Sequence, residues 1–205
     1  LDGNSLSINK LVSVARNNET VKIGNDAWKK IDDCRNMLQS KIDAHEIMYG
    51  ITTGIGEFSE VTLTPEQTQE FQKLLVRNHA AGIGDPMDIE LVRGAICGRI
   101  NVHLKGHSGG RREITEYLQS VLNHGITPVV CEKGSVGACG DLAPMSQIAL
   151  SLMGEGEMFV NGKITNSKKA LGDIGLKPLE LKARDGLALI NGSNVLTALA
   201  ALILY

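Results

Sequence analysis

The sequence predicts a mainly α-helical chain with a few short strands. Apolar residues recur at three- and four-residue spacing through most of its length, helix start and stop signals bracket those stretches, and β signals are few and short. With 205 residues, 42% hydrophobic and 21% charged, the composition is that of an ordinary globular chain, long enough to bury a real core. No repeat, low-complexity tract or linker divides it, so one mainly helical unit is the simplest organisation.

In chain order, Ser7 is placed to cap a helix that carries Ile8, Leu11, Val12 and Ala15 on one face. Asn25 is placed to cap a second, with Trp28, Ile31 and Leu38 inward. Val21 to Ile23 and the stretch 47–51 are weaker strand candidates. Thr64-Pro65-Glu66-Gln67 combines a capping threonine, proline at the first helical position and a Gln three residues on, which predicts a helix with Phe71, Leu74 and Leu75 on its inner face.

The stretch 89–104 reads as a helix whose interior glycines, Gly94 and Gly98, each cost about 1 kcal/mol relative to alanine and so suggest close helix packing. The stretch 113–123 places Ile114, Tyr117, Leu118, Val121 and Leu122 at helical spacing, and Gly125 and Pro128 close it. The apolar stretch 143–153 ends at Gly154 in the same way. In 159–164, FVNGKI, Asn161-Gly162 supplies the two positive φ angles of a type I′ hairpin. The chain starts without methionine and stops inside the apolar run VLTALAALILY, as expected of a fragment.

A net charge of -2 with both signs interspersed, and only 3% aromatics, argue against nucleic acid as a partner. Cys34, Cys97, Cys131 and Cys139 form neither CxxC pairs nor a disulfide framework, and fit a reducing cytoplasm. The sequence has no signal-peptide pattern and no apolar run of about 18 residues, so no membrane partner is expected. His45, His103 and His124 lack ligand spacing, and no metal is expected.

The richest local signal is 134–144, GSVGACGDLAP. A glycine-rich stretch with an aspartate before a helix can be a plain turn and cap. It matches neither phosphate-binding spacing, GxxxxGK[ST] or GxGxxG. A third reading rests on Ala138-Cys139-Gly140. In a tight enough turn the amide nitrogen of Gly140 can attack the carbonyl carbon of Ala138, and a β-leaving group on the middle residue then gives an exocyclic methylidene. Such an electrophile is absent from the twenty side chains.

This segment resembles the prosthetic-group loop of the aromatic amino acid ammonia-lyase family, the histidine and phenylalanine ammonia-lyases, in which Ala-Ser-Gly forms 4-methylidene-imidazol-5-one (MIO). Cys139 stands where the family has serine, leaving two outcomes: loss of hydrogen sulfide to give the same methylidene, or a retained thiol. Three other segments carry the resemblance. Residues 49–56, YGITTGIG, are similar to the family's YGxxTGxG, which implies that Tyr49 removes the substrate's β-proton; a lone tyrosine would otherwise be a packed ring.

Residues 75–84, LVRNHAAGIG, resemble the segment that reads the substrate side chain, and Asn78-His79 is closer to the histidine-specific Ser-His than to His-Leu or Phe-Leu; a hydrogen-bonded histidine at a helix end is the alternative. Residues 187–194, LALINGSN, resemble the segment whose asparagine lies beside MIO, which implies that Asn191 stabilises developing negative charge; a helix N-cap is its alternative, and both roles can hold. In 106–112, GHSGGRR, the residues His107, Arg111 and Arg112 read as structural or interfacial rather than catalytic.

The resemblance implies an N-terminal, MIO-bearing domain over 1–205, cut before the central and C-terminal helical part and ending in the start of a long helical bundle. It also implies non-oxidative release of ammonia from an aromatic amino acid, L-histidine giving urocanate, with tyrosine or phenylalanine lyase, 2,3-aminomutase, or a noncatalytic scaffold as alternatives. The expected cofactor is MIO made autocatalytically from Ala138, Cys139 and Gly140, with no external cofactor; the full-length protein is expected to be a homotetramer, and the isolated fragment inactive.

Overall fold

The computed structural model describes residues 1–137 and 140–205. The helices in chain order are α1 (Ile8–Arg16), α2 (Asn25–Asp43), α3 (Pro65–His79), α4 (Ile89–His103), α5 (Arg112–Asn123), α6 (Leu142–Leu152), α7 (Ser167–Asp173), α8 (Asp185–Ile190) and α9 (Asn194–Leu204). The strands are β1 (Ile83–Pro86), β2 (Thr127–Pro128), β3 (Cys131–Lys133), β4 (Glu157–Val160) and β5 (Lys163–Asn166). β1 pairs antiparallel with β3, while β2, β4 and β5 form a three-stranded antiparallel sheet in that order. The chain is thus mainly α, as its periodicity predicts.

Helix α4 is the axis of the core. Ala95, Ile96, Cys97, Ile100 and Leu104 are fully buried beneath α1, α5 and α9. Each buried aliphatic side chain stabilises the fold by about 1.5–3 kcal/mol relative to leaving it in water. The two glycines do what their cost suggested. A Cβ at Gly94 would lie 3.1 Å from the Ala198 Cβ, and one at Gly98 would lie 3.3 Å from Asn194 Nδ2, so both allow α9 to approach closely. Arg93 is also buried, donating from Nε and Nη2 to the Val14 carbonyl and from Nη1 to that of Leu122; it fastens the last turns of α1 and α5 to α4.

Local chemistry sets the element ends. Ser7 accepts from Lys10 N–H, and Thr64 and Gln67 form the full capping box. Asn161 and Gly162 take φ of 49° and 75°, and the hairpin closes with Val160 opposite Lys163. Five expectations need correction. Gly24 is the N-cap of α2 and Asn25 its first helical residue. Val21–Ile23 and 47–51 are not strands: Val21 is held by Asn123 and Gln119 side chains, and 49–52 is a turn.

The buried stripe of α3 is Thr68, Gln72, Leu75 and Val76, whereas Leu74 is 44% exposed at the edge of a cleft. Asp185–Leu204 also proves long and apolar enough to cross a membrane by length and composition. It is interrupted at 191–193 and half of it is buried inside the fold, the pattern of a core helix.

Candidate active site

Tyr49 lies on the loop between α2 and α3 and is 59% exposed. The glycines and threonines around it fold that loop. Gly50, at φ 64°, comes so close to α8 that a Cβ would lie 2.7 Å from Leu187 Cδ2. The Thr53 hydroxyl, buried, accepts from Gly50 N–H at 3.2 Å and donates to the Gly54 carbonyl, and Thr53 pairs with Thr62 in an isolated bridge. Gly56 N–H then donates to the Tyr49 hydroxyl at 3.1 Å, so the phenol points across its own loop.

His79 is the last residue of α3 and is half-buried; Asn78 beside it is exposed. Nδ1 of His79 lies 2.8 Å from the Leu75 carbonyl. A carbonyl only accepts, so in the neutral ring Nδ1 carries the proton and Nε2 keeps a lone pair. Asn78 and His79 share a cleft of about 490 Å³ with Gly54, Ile55, Phe58 and Leu74. The structure therefore brings the tyrosine loop and the Asn-His pair to one opening.

The loop that opens α6 closes on itself. Val136 N–H donates to the Gly140 carbonyl at 3.0 Å, and Gly140 N–H donates to the Gly137 carbonyl at 2.8 Å. A Cβ on Gly140 would lie 2.7 Å from the Val136 carbonyl carbon, so only glycine fits there. Ala138 and Cys139 lie outside the described residues. Gly140 is thus packed against Val136 and Gly137 with no room for a side chain.

Asp141, the aspartate that the sequence offers as a turn and helix cap, is the anchor of this loop. It occupies the N-cap position of α6 without capping that helix. Fully buried, it accepts from the Ser135 hydroxyl at 2.5 Å and from Leu196 N–H at 2.9 Å, joining the loop to the first turn of α9. Sequence reasoning missed Arg99. It is 2% exposed, its guanidinium presses on Gly192, where a Cβ would lie 2.4 Å from Nη2, and its Nε and Nη2 have no hydrogen-bond partner among the described residues. Burial, reinforced by the charge of Arg184 and opposed by that of Asp141, draws its pKa down to about 10.

Asn191, exposed, follows α8 as its C-cap, donating N–H to the Leu187 carbonyl at 3.0 Å; the N-cap of α9 is Ser193, which corrects the capping alternative. Asn191 is next to Gly192, which packs on Arg99, and five residues before Leu196, which is bonded to Asp141. Gly134 completes the junction, since a Cβ there would lie 3.3 Å from Gly82 Cα, just beyond His79. His107 is exposed, Arg112 stacks on Trp28 at 4.4 Å, and Arg111 binds buried Asp185 at 2.6 Å; none of the three lines the cleft that holds Asn78 and His79. Among the described residues no cluster of His, Cys, Asp or Glu has the makings of a metal site.

Comparison with known proteins gives the family and the fold. A family profile described as aromatic amino acid lyase matches residues 6–205. Histidine ammonia-lyase of Alkaliphilus metalliredigens is 40% identical over 205 residues, covering 100% of this chain and 40% of the relative. That of Bacillus cytotoxicus is 42% identical over 198 residues, covering 97% of this chain and 39% of its own.

Among solved structures, Treponema denticola ergothionase, an ergothioneine-degrading enzyme, superposes with a TM-score of 0.96 at 32% identity, over 100% of this chain and 41% of that one. Streptomyces globisporus tyrosine aminomutase gives 0.92 at 36%, over 98% and 38%. The chain spans about 40% of the length of the curated relatives it matches. A profile match over almost the whole chain makes this chain a member of the aromatic amino acid lyase family.

Proposed function

We propose that the full-length protein eliminates ammonia from L-histidine to give urocanate. The observation that carries this reading is the 136–140 turn, which admits only glycine at 140 and is tied through Asp141 to the segment bearing Asn191. Ring closure there joins Gly140 N to the Ala138 carbonyl carbon with loss of water. The Cα–H and Cβ–S bonds of Cys139 then break, releasing hydrogen sulfide and leaving the methylidene. The MIO so formed supplies an electrophile that activates the substrate for loss of its amine.

The remaining roles belong to the chain. Tyr49 takes the β-proton; its loop presents the phenol at an exposed position. Asn191 donates to the negative charge that develops near the turn. His79, held through Nδ1, offers Nε2 to a donor on the substrate's imidazole, and Asn78 lines the same cleft. The segments that bind the carboxylate lie in the rest of the protein, and exposed Leu196, Leu199 and Ile203 on α9 suit packing of further helices in a homotetramer.

Asn78 in place of serine, with the likeness to tyrosine aminomutase, favours a second reading as a tyrosine or phenylalanine lyase or aminomutase. Incubating the full-length protein with histidine, tyrosine and phenylalanine separately, and following absorbance of the unsaturated acid, separates them. Urocanate from histidine alone is expected; cinnamate, coumarate or a β-amino acid overturns the histidine assignment. No product from any of the three favours a noncatalytic scaffold.

A further inference from the structure

A second opening, of about 690 Å³, lies on another side of α3. Leu74 and Asn78 face the cleft described above. Lys73 and Arg77, one position earlier in each turn and so about 100° round the helix, line this groove. Its remaining walls come from α5, the start of α7 and the extended segment 177–182.

Charge is segregated here. Six of the chain's 21 Lys and Arg residues line the groove, against three of its 23 Asp and Glu, in a chain whose net charge is -2. The two arginines are internally satisfied. Arg77 is bidentate to Glu155 at 2.9 and 2.7 Å, and Arg111 binds Asp185, Glu113 and the Glu180 carbonyl. Among the described residues no carboxylate lies in ion-pair reach of Lys168, Lys177 or Lys182. The floor between these lysines is apolar: Met153 and Leu179 are buried, Pro178 lies between Lys177 and Leu179, and the half-buried Tyr117 is fixed by its hydroxyl donating to the Lys177 carbonyl at 2.9 Å.

We propose that this groove binds a nucleoside polyphosphate, its phosphates on Lys168, Lys177 and Lys182 and its base against Tyr117 and Pro178. Unpaired ammonium groups on flexible stems suit phosphate oxygens, an apolar floor suits a flat ring, and the volume falls in the range of small-molecule sites. A ligand seated there would bear on α3, the helix that carries Asn78 and His79. The inference does not depend on which amino acid the enzyme uses.

Titration calorimetry on the full-length protein with ATP, tripolyphosphate and adenosine tests it. ATP should bind saturably and lose affinity between about 50 and 200 mM salt, as phosphate contacts do. Tripolyphosphate should bind several-fold more weakly, and adenosine without phosphates should not bind. The double variant Lys168→Glu, Lys177→Glu should weaken ATP by at least about tenfold, one factor of ten per 1.4 kcal/mol. Lys168→Arg, Lys177→Arg should retain binding, and both variants should keep the wild-type unfolding midpoint, since each lysine is exposed. Absence of saturable ATP binding, ATP binding indifferent to the charge reversal, or tripolyphosphate binding as tightly as ATP would each overturn the proposal.

Discussion

The floor of the active site and its rim are built from opposite materials. Beneath the site lie ionisable groups withdrawn from water: Asp141 and Asp185 at 0% exposure, Arg99 at 2% and His103 at 3%. Among the rim residues, which are those that the motifs name, Tyr49, Asn78 and Asn191 are exposed, and His79 is half-buried. Buried polar groups are costly unless partnered, and Asp141, Asp185 and His103 are each held by several hydrogen bonds, Arg99 being the exception among the described residues, whereas the rim residues make few. The contrast teaches that the buried groups build a frame while the side chains of the rim stay open to solvent. Substitutions in the floor should therefore act first on stability, and those on the rim on chemistry alone.

The largest stability effect is expected at Asp185, which accepts from Arg111 N–H and Nε and from Lys182 N–H. Asp185→Ala takes the buried acceptor away from these three donors and should cost about 3–5 kcal/mol, read from the denaturant midpoint of the full-length protein. His103 comes next. Both its nitrogens are bonded, to Thr115 and to the Ala188 carbonyl, and burial with the nearby Arg99 charge pushes its pKa down to about 3.

Between pH 6.5 and about 3 the unfolded chain binds a proton at this histidine that the folded chain does not. Its contribution is therefore complete above 6.5 and declines as the pH falls, by about 1.4 kcal/mol per pH unit. His103→Gln should remove that slope in urea titrations run across the window; an unchanged slope would mean that the imidazole is not withdrawn from solvent.

Asp141→Asn should cost about 2 kcal/mol, because an amide facing Leu196 N–H or the Ser135 hydroxyl loses an acceptor. It should also raise amide exchange at 134–140 and 194–197, which hydrogen-exchange mass spectrometry resolves. At the rim, Tyr49→Phe should leave stability within about 0.5 kcal/mol of wild type. The same variant should lower kcat by about 10²–10⁴-fold, the usual worth of a general base. A large loss of stability there would erase the distinction between floor and rim.

What the sequence made legible follows the same division. Short-range chemistry could be read directly: the Thr64–Gln67 capping box, the Asn161-Gly162 turn, and the α4 glycines that admit α9. The rim residues could be named because their local motifs are distinctive. The floor could not. Asp141 reaches Leu196 across 55 positions and Asp185 reaches Arg111 across 74, pairings that no local pattern encodes. Strand β1 reads IGDP, with little β propensity, and exists because β3 is folded against it. Periodicity marked Leu74 as apolar, yet only packing decides which apolar face is covered.

The central claim is that the 136–140 turn makes an electrophile from the chain itself, and the intact mass of the full-length protein tests it most directly. Ring closure with loss of water and hydrogen sulfide should place the measured mass about 52 Da below that of the encoded sequence, with no thiol titratable at Cys139. A mass equal to that of the encoded sequence, together with a reactive Cys139 thiol, would contradict it.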